Sequence, residues 1–275
     1  MITPPELLGL AESVVSEAGS LVAAGRRGEV EVSDTKSSPT DVVTAVDVAA
    51  EQLNRNRILT DRPGDGFLGE ETGEVTGSSG VRWVVDPIDG TVNYLYEIAQ
   101  FAVSLAVEVD GAAVAGVVHN PMSVETFTAL RGEGAWLNGA AIRCSKRDDV
   151  AQALVGTGYG YRADVRTHQA AEISRLVSQV RDIRRFGAAT LDLCFVACGR
   201  LDAHVERGLK PWDLAAAGLI AAEAGARVEG LHGAPAGELL VIAAPDSLFD
   251  ALHGQLVASG YVDWPLTDWP AAMSP

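Results

Sequence analysis

Near the start of the chain Leu7, Leu8, Ala11, Val14, Val15, Ala18, Leu21 and Val22 recur at helical spacing. That periodicity predicts an amphipathic helix with one buried stripe. Thr3 and Glu6 stand at capping-box spacing, with Pro4 at the first helical position. A polar loop, Lys36–Asp41, precedes a second helix from about Thr44 to Leu59. Gly66–Leu68 and Val81–Val85 then read as short buried strands, each stopping at acidic residues. From Phe101 to Leu137 the pattern becomes antiparallel. Phe101–Val109 and Ala112–His119 are apolar runs joined by Asp110-Gly111, a hairpin signal. Thr126–Ala129 adds a strand, and Trp136–Ile142 turns through Asn138-Gly139.

After Cys144 strands and helices alternate. Ala153–Thr157, Ala203–Val205 and Leu239–Ala243 predict strands. His168–Val180, Ala188–Ala197, Asp213–Ala224 and Ser247–Ala258 predict helices. Residues 1–145 thus form an α+β half and residues 146–275 an α/β half, with no linker between them, so one rigid unit is expected. The tail from Trp264 to Pro275 is expected to be irregular, with Trp264 and Trp269 covering apolar surface or a subunit contact.

Composition narrows the function. The 275 residues are 47% hydrophobic, enough for a substantial core. With 21 basic and 37 acidic residues the net charge is −16, which repels nucleic-acid phosphates and anionic membranes. The same charge suits an anionic substrate only if bound cations supply positive charge. Cys144, Cys194 and Cys198 have no further ligand at zinc spacing, and the i, i+4 pair Cys194/Cys198 lies in an apolar helical run, so core packing is expected. No cationic leader precedes an apolar stretch, and no run reaches the ~18 uninterrupted apolar residues of a membrane span. A cytoplasmic protein is expected.

The candidate chemistry is carboxylate. In Asp86-Pro87-Ile88-Asp89-Gly90-Thr91, Pro87 holds Asp86 extended and Gly90 permits a sharp turn. The two carboxylates can then converge around the Ile88 carbonyl, an oxygen shell that hard divalent cations take. Without cations, such a cluster would repel itself and keep some groups protonated. Taken singly, each piece has a plainer reading. Asp-Gly marks a turn, Glu70-Glu71 a solvated loop, Asp47 an exposed helix residue, and Asp213 an N-cap. These plain readings predict no relation among the sites.

A relation is nevertheless visible. Lys36 through Asp47, Gly69-Glu70-Glu71, and Trp83 through Tyr94 resemble the inositol monophosphatase family in order and spacing. Trp212-Asp213-Leu214-Ala215-Ala216-Ala217-Gly218, continuing to Glu223-Ala224-Gly225-Ala226, resembles its second signature. The resemblance spans about residues 5 to 260 and is to bacterial members of actinobacterial type. It implies a layered αβαβα sandwich of the inositol monophosphatase and fructose-1,6-bisphosphatase type.

By that resemblance, Glu70, Asp86 and the Ile88 carbonyl bind a first Mg2+, Asp86, Asp89 and Asp213 a second, and Glu70 helps with a weaker third; Mn2+ is an expected substitute. Thr91 and Asp47 orient and deprotonate water, with Glu71 in support. Gly90 and Thr91 meet the phosphate, and Gly187, Ala188, Ala189, Glu206 and Asp89 form the substrate surface. Lys36 adds positive charge nearby. Ala188 and Val92 stand where relatives commonly carry Thr, and Thr or Ser. No Cys or His is set for a phosphoenzyme, and no CxxxxxR loop occurs.

The activity implied is hydrolysis of inositol 1-phosphate. Histidinol phosphate, fructose 1,6-bisphosphate and 3′-phosphoadenosine nucleotides are rival substrates. The resemblance also implies a homodimer and lithium sensitivity. A protein-binding regulatory module on the same fold is the competing class.

Overall fold

A computed structural model describes residues 3–28, 30, 32–36 and 38–261; Ser37 of the polar loop and the tail with Trp264 and Trp269 lie outside the described residues. In chain order the elements are α1 (Pro4–Gly25), β1 (Val32–Thr35), β2 (Val42–Thr44), α2 (Ala45–Asp61), β3 (Gly66–Gly69), β4 (Gly73–Val75) and β5 (Val81–Asp89). There follow α3 (Thr91–Leu95), β6 (Ala102–Val109), β7 (Ala112–Asn120), β8 (Glu125–Leu130), β9 (Gly134–Leu137) and β10 (Ala140–Ala141). The remainder comprises β11 (Leu154–Thr157), α4 (Ala163–Leu176), β12 (Asp182–Arg184), α5 (Ala189–Ala197), β13 (Ala203–Glu206), α6 (Pro211–Glu223), β14 (Ala226–Glu229), β15 (Val241–Pro245) and α7 (Asp246–Ala258).

An eight-stranded sheet runs β10-β9-β8-β7-β6-β5-β3-β4, and a five-stranded sheet runs β12-β11-β13-β15-β14. Helices α1 and α2 cover one face of the large sheet. Helices α5 and α6 lie on its other face, between the two sheets, and α7 packs on the small sheet with α4 against it. The order helix–sheet–helix–sheet–helix is the expected αβαβα sandwich. Strand β5 shows why it holds. Trp83 and Val85 bury against α1 and α2, while Val84 buries in the α5/α6 layer. A strand covered on both faces carries an unbroken apolar run, and each such side chain contributes about 1.5–3 kcal/mol on full burial.

Helix α1 is long and apolar enough, at 22 residues, to meet the length and composition of a membrane span. Its stripe, Leu7, Ala11, Val14, Val15, Ala18 and Val22, is buried against the protein's own sheet. The capping box at Thr3 and Glu6 forms as expected. The hairpin turns also form. Asp110 and Gly111 both take positive φ, as do Asn138 and Gly139, the geometry a two-residue turn requires between right-twisted strands.

Several boundaries differ. The helix expected at His168–Val180 runs Ala163–Leu176, because the chain must reverse in time for β12 to pair in parallel with β11. Helix α6 begins at Pro211, so Asp213 is its third residue, within the first turn, rather than its N-cap. Short strands β1, β2, β4, β12 and β14 lie outside the sequence expectations; most of their residues are exposed or half-buried, so no buried apolar run marks them. Cys194 lies in the core, and all three cysteines are free thiols.

Candidate metal centre and its surroundings

Strands β3 and β5 are parallel neighbours, with Gly69 opposite Val85. Their carboxyl ends therefore emerge at one edge, which brings Glu70-Glu71 beside Asp86. Strand β5 slips register against β6 between Asp86, opposite Ser104, and Asp89, opposite Ala102. Three steps on one strand face two on the other, a bulge centred on Pro87, which lacks an N–H to pair. In a regular strand residues 86 and 89 would project to opposite faces; the bulge lets both turn to one side. Asp213 arrives from the first turn of α6, where its carboxylate accepts the Lys210 N–H at 2.6 Å.

Asp86, Asp89 and Asp213 meet there, each offering an oxygen within 4.8 Å of the others. Asp86 and Asp89 are buried, at 2% and 8% exposure. Burial, then repulsion from Glu70, Asp89 and Asp213, drives the Asp86 carboxyl well above the usual range. Burial raises Asp213 too, with Asp89 and Glu70 adding to it. Asp89 is pushed up to about 7, again first by burial, and hydrogen bonds from Thr190 restrain it. A set of oxygen donors that resists ionisation for want of counter-charge fits a hard divalent cation.

The second acidic pair is tied to a cation of the chain itself. Lys36 Nζ lies 2.6 Å from an oxygen of Glu70 and 2.6 Å from one of Glu71. Lys36 belongs to the hairpin tip between β1 and β2, closed by its N–H to the Asp41 carbonyl. The tip is anchored where Ser38 and Thr40 hydroxyls donate to the Tyr161 carbonyl. Burial raises Glu70 and Glu71 while Lys36 opposes it.

Beside this cluster, Thr91 opens α3. Its hydroxyl lies 3.1 Å from Asp47 Oδ1 and 3.0 Å from the Ile88 carbonyl. Asp47, at 1% exposure, closes the capping box of α2, accepting the Thr44 N–H at 2.9 Å. Burial lifts Asp47 to about 6 against the pull of Thr44. Gly90 takes φ +89°, and a β-carbon there would lie 2.9 Å from the Gln100 carbonyl and 3.1 Å from that of Gly187. The glycine is thus required twice over, and Gly187 and Ala188 stand next to it. Ala189 follows in α5, and Glu206 ends β13.

Of the expected site residues, Asp86, Asp89 and Asp213 meet one another, Lys36 meets Glu70 and Glu71, Thr91 meets Asp47 and the Ile88 carbonyl, and Gly187 and Ala188 border Gly90. Three contributors escaped the sequence reading. Thr190 donates to Asp89 through its N–H at 2.7 Å and also through its hydroxyl. Glu51 accepts the N–H groups of Glu71 at 2.8 Å and Thr72 at 2.7 Å. Asn93 donates to the Gln100 carbonyl at 2.7 Å and to that of Phe186 at 2.8 Å, joining the two loops. One signal was readable: Asp47, Glu51 and Asn54 are polar residues repeating along the buried face of α2.

A five-layer sandwich with a buried cluster of metal-suited carboxylates at the ends of β3 and β5 suits a metal-dependent phosphatase, and comparison with known proteins agrees. The model of the inositol monophosphatase family matches residues 4–261, and the chain belongs to that family. It is 46% identical to an inositol-1-monophosphatase of Mycobacterium bovis, over 91% of this chain and 94% of that one. It is 38% identical to Nus factor SuhB of Escherichia coli, over 82% and 86%. The solved extragenic suppressor protein suhB of Bartonella henselae superposes with a TM-score of 0.86 at 35% identity, covering 91% of this chain and 98% of that one. Mycobacterium tuberculosis SuhB superposes at 0.81 with 42% identity, over 95% and 99%.

Proposed function

We propose that this protein is a magnesium-dependent phosphomonoesterase that converts myo-inositol 1-phosphate to inositol and phosphate. The observation that carries the reading is the buried meeting of Asp86, Asp89 and Asp213 oxygens within 4.8 Å. Glu70, Asp86 and the Ile88 carbonyl would hold one ion, Asp86, Asp89 and Asp213 a second, and Glu70 would contribute to a weaker third. Mn2+ substitutes for Mg2+. Bound divalent cations would supply counter-charge to these carboxylates, polarisation of the phosphoryl oxygens and a lower pKa for water.

The chain's own groups do the rest. Thr91 Oγ1 receives the attacking water, and Asp47 takes the proton through that hydroxyl, its raised carboxyl being matched to neutral pH. Glu71, pinned by Lys36, supports that pair. Gly90 and Thr91 orient the phosphate through their N–H groups. Gly187, Ala188, Ala189 and Glu206 face the alcohol, with Asp89 beside them. Attack is direct, with no covalent enzyme intermediate.

Purified protein should release phosphate from inositol 1-phosphate with Mg2+ and not in excess chelator. Comparison with histidinol phosphate, fructose 1,6-bisphosphate and 3′-phosphoadenosine nucleotides fixes the substrate; no release from any of them rejects the reading. By the same proposal the protein is a cytoplasmic homodimer inhibited by lithium, read by sedimentation and by inhibition curves.

The resemblance to a Nus factor favours a second reading, in which the fold serves a regulatory protein partner. Asp89→Asn separates the two. Survival of a cellular phenotype after loss of phosphate release supports the partner role.

A further inference from the structure

Behind Glu206 lies a row of ionisable side chains that the reaction above does not use. Asp192 in α5 and His204 in β13 are both fully buried, at 0% exposure. Neither oxygen of Asp192 and neither ring nitrogen of His204 makes a hydrogen bond of good geometry. They face each other instead. His204 Nδ1 lies 3.8 Å from Asp192 Oδ2, and Nε2 lies 3.2 Å from Glu206 Oε2. The row Asp192–His204–Glu206 therefore runs from the interior to the flank of the acidic centre, where the Glu206 side chain is 12% exposed.

The fold makes room for this row. Strand β11 pairs with β13, Gly156 opposite His204. A β-carbon at position 156 would lie 3.0 Å from His204 Nδ1, and one at position 158 would lie 1.8 Å from Glu206 Oε1. Two glycines, two residues apart, thus leave space for the ring and for the carboxylate. Opposite His204 on the other side is small Ala243 of β15. Burial, then the charges of Glu206 and Asp89, holds the Asp192 carboxyl well above its ordinary range. A core that merely needed filling would hold apolar groups here, since unpartnered buried polar groups are costly.

We infer that His204, backed by Asp192, is a positioning residue that holds Glu206 in place to accept a hydroxyl of the substrate, and so sets the preference for polyol phosphates over plain monoesters. Nε2, 3.2 Å from one Glu206 oxygen, is placed to hold that oxygen when substrate binds and leaves the other for the alcohol. Asp192, 3.8 Å from Nδ1, backs the other side of the ring. The assignment rests on Glu206 facing the alcohol, as proposed above.

The test is the ratio of kcat/KM for myo-inositol 1-phosphate to that for p-nitrophenyl phosphate, which has no ring hydroxyls. His204→Phe should lower the ratio on the order of 10-fold, through KM for the inositol ester. Glu206→Gln should lower it similarly, and the double variant should be no worse than Glu206→Gln alone. His204→Gln, which restores a donor, should recover part of the loss. Equal losses on both esters in His204→Phe, or strict additivity in the double variant, would overturn the inference. If Glu206→Gln itself leaves the ratio as in the wild type, it is the role of Glu206 that fails. Should the His204 variants not fold, the wild-type holoenzyme answers by 15N NMR of assigned histidine rings. The His204 ring should respond to added myo-inositol and not to inorganic phosphate; the absence of a response to myo-inositol rejects the inference.

Discussion

Thr190 donates two hydrogen bonds to a single oxygen of Asp89, a residue 101 positions earlier in the chain. The N–H contact at 2.7 Å comes from the first turn of α5, so that helix fixes the angle of a carboxylate carried on β5. Groups that orient a ligand from behind commonly matter 10–100-fold to metal affinity. Thr190→Ala should therefore weaken Mg2+ activation by about that range, read from the midpoint of the activation curve. Thr190→Ser should remain near wild type.

Asp86 is burdened by three neighbouring carboxylates as well as by burial. In excess chelator at neutral pH, Asp86→Asn should melt at a higher temperature than wild type, because it removes a like charge from the cluster. The same change should abolish the thermal shift that Mg2+ produces in wild type, since ligands that bind only the folded state stabilise it by mass action. A variant that melts lower in chelator would argue against the charge cluster.

Asp47 ionises at about 6, well above its ordinary value of 3.8. Its proton must be absent for it to serve as a base, so kcat should rise with pH through about 6 and then level. Asp47→Asn should lower kcat by about 10²–10⁴ and remove that rise. The stability effect has the opposite direction. Folding favours the protonated acid, so Asp47's stabilising contribution is present below about pH 4 and lost as pH rises through 6. Asp47→Asn should therefore gain on wild type in thermal melts as pH increases over that window.

Gly69 lies against Glu51, and a β-carbon there would sit 2.4 Å from the carboxyl carbon. Gly69→Ala should force Glu51 off the Glu71 and Thr72 N–H groups and cost about 1–3 kcal/mol, a drop of several degrees in the melting temperature. Phosphate release should also fall, because the loop bearing Glu70 and Glu71 loses its anchor. Melting unchanged from wild type would show that Glu51 moves aside without consequence.

Much of this fold is legible in the sequence. The stripe of α1, the Asp110-Gly111 and Asn138-Gly139 turns, and the apolar run of β5 declare themselves through spacing alone. The acidic residues before and after Pro87 were legible as a cluster, and their order along the chain matched a family. The start of α4 was not legible, nor were β12 and β14, because their partners rather than their own residues decide them.

What the amino-acid order determined was which segments bury one face, where the chain turns, and which carboxylates are available. Those follow from local geometry and from the cost of exposing apolar surface. What the tertiary structure decided was the company each carboxylate keeps. The parallel pairing of β3 with β5 sets Glu70 beside Asp86, and packing between the sheets delivers Thr190 to Asp89. Such contacts join residues 16 (86 − 70) and 101 positions apart, and no periodicity within a segment can encode the distance between two segments.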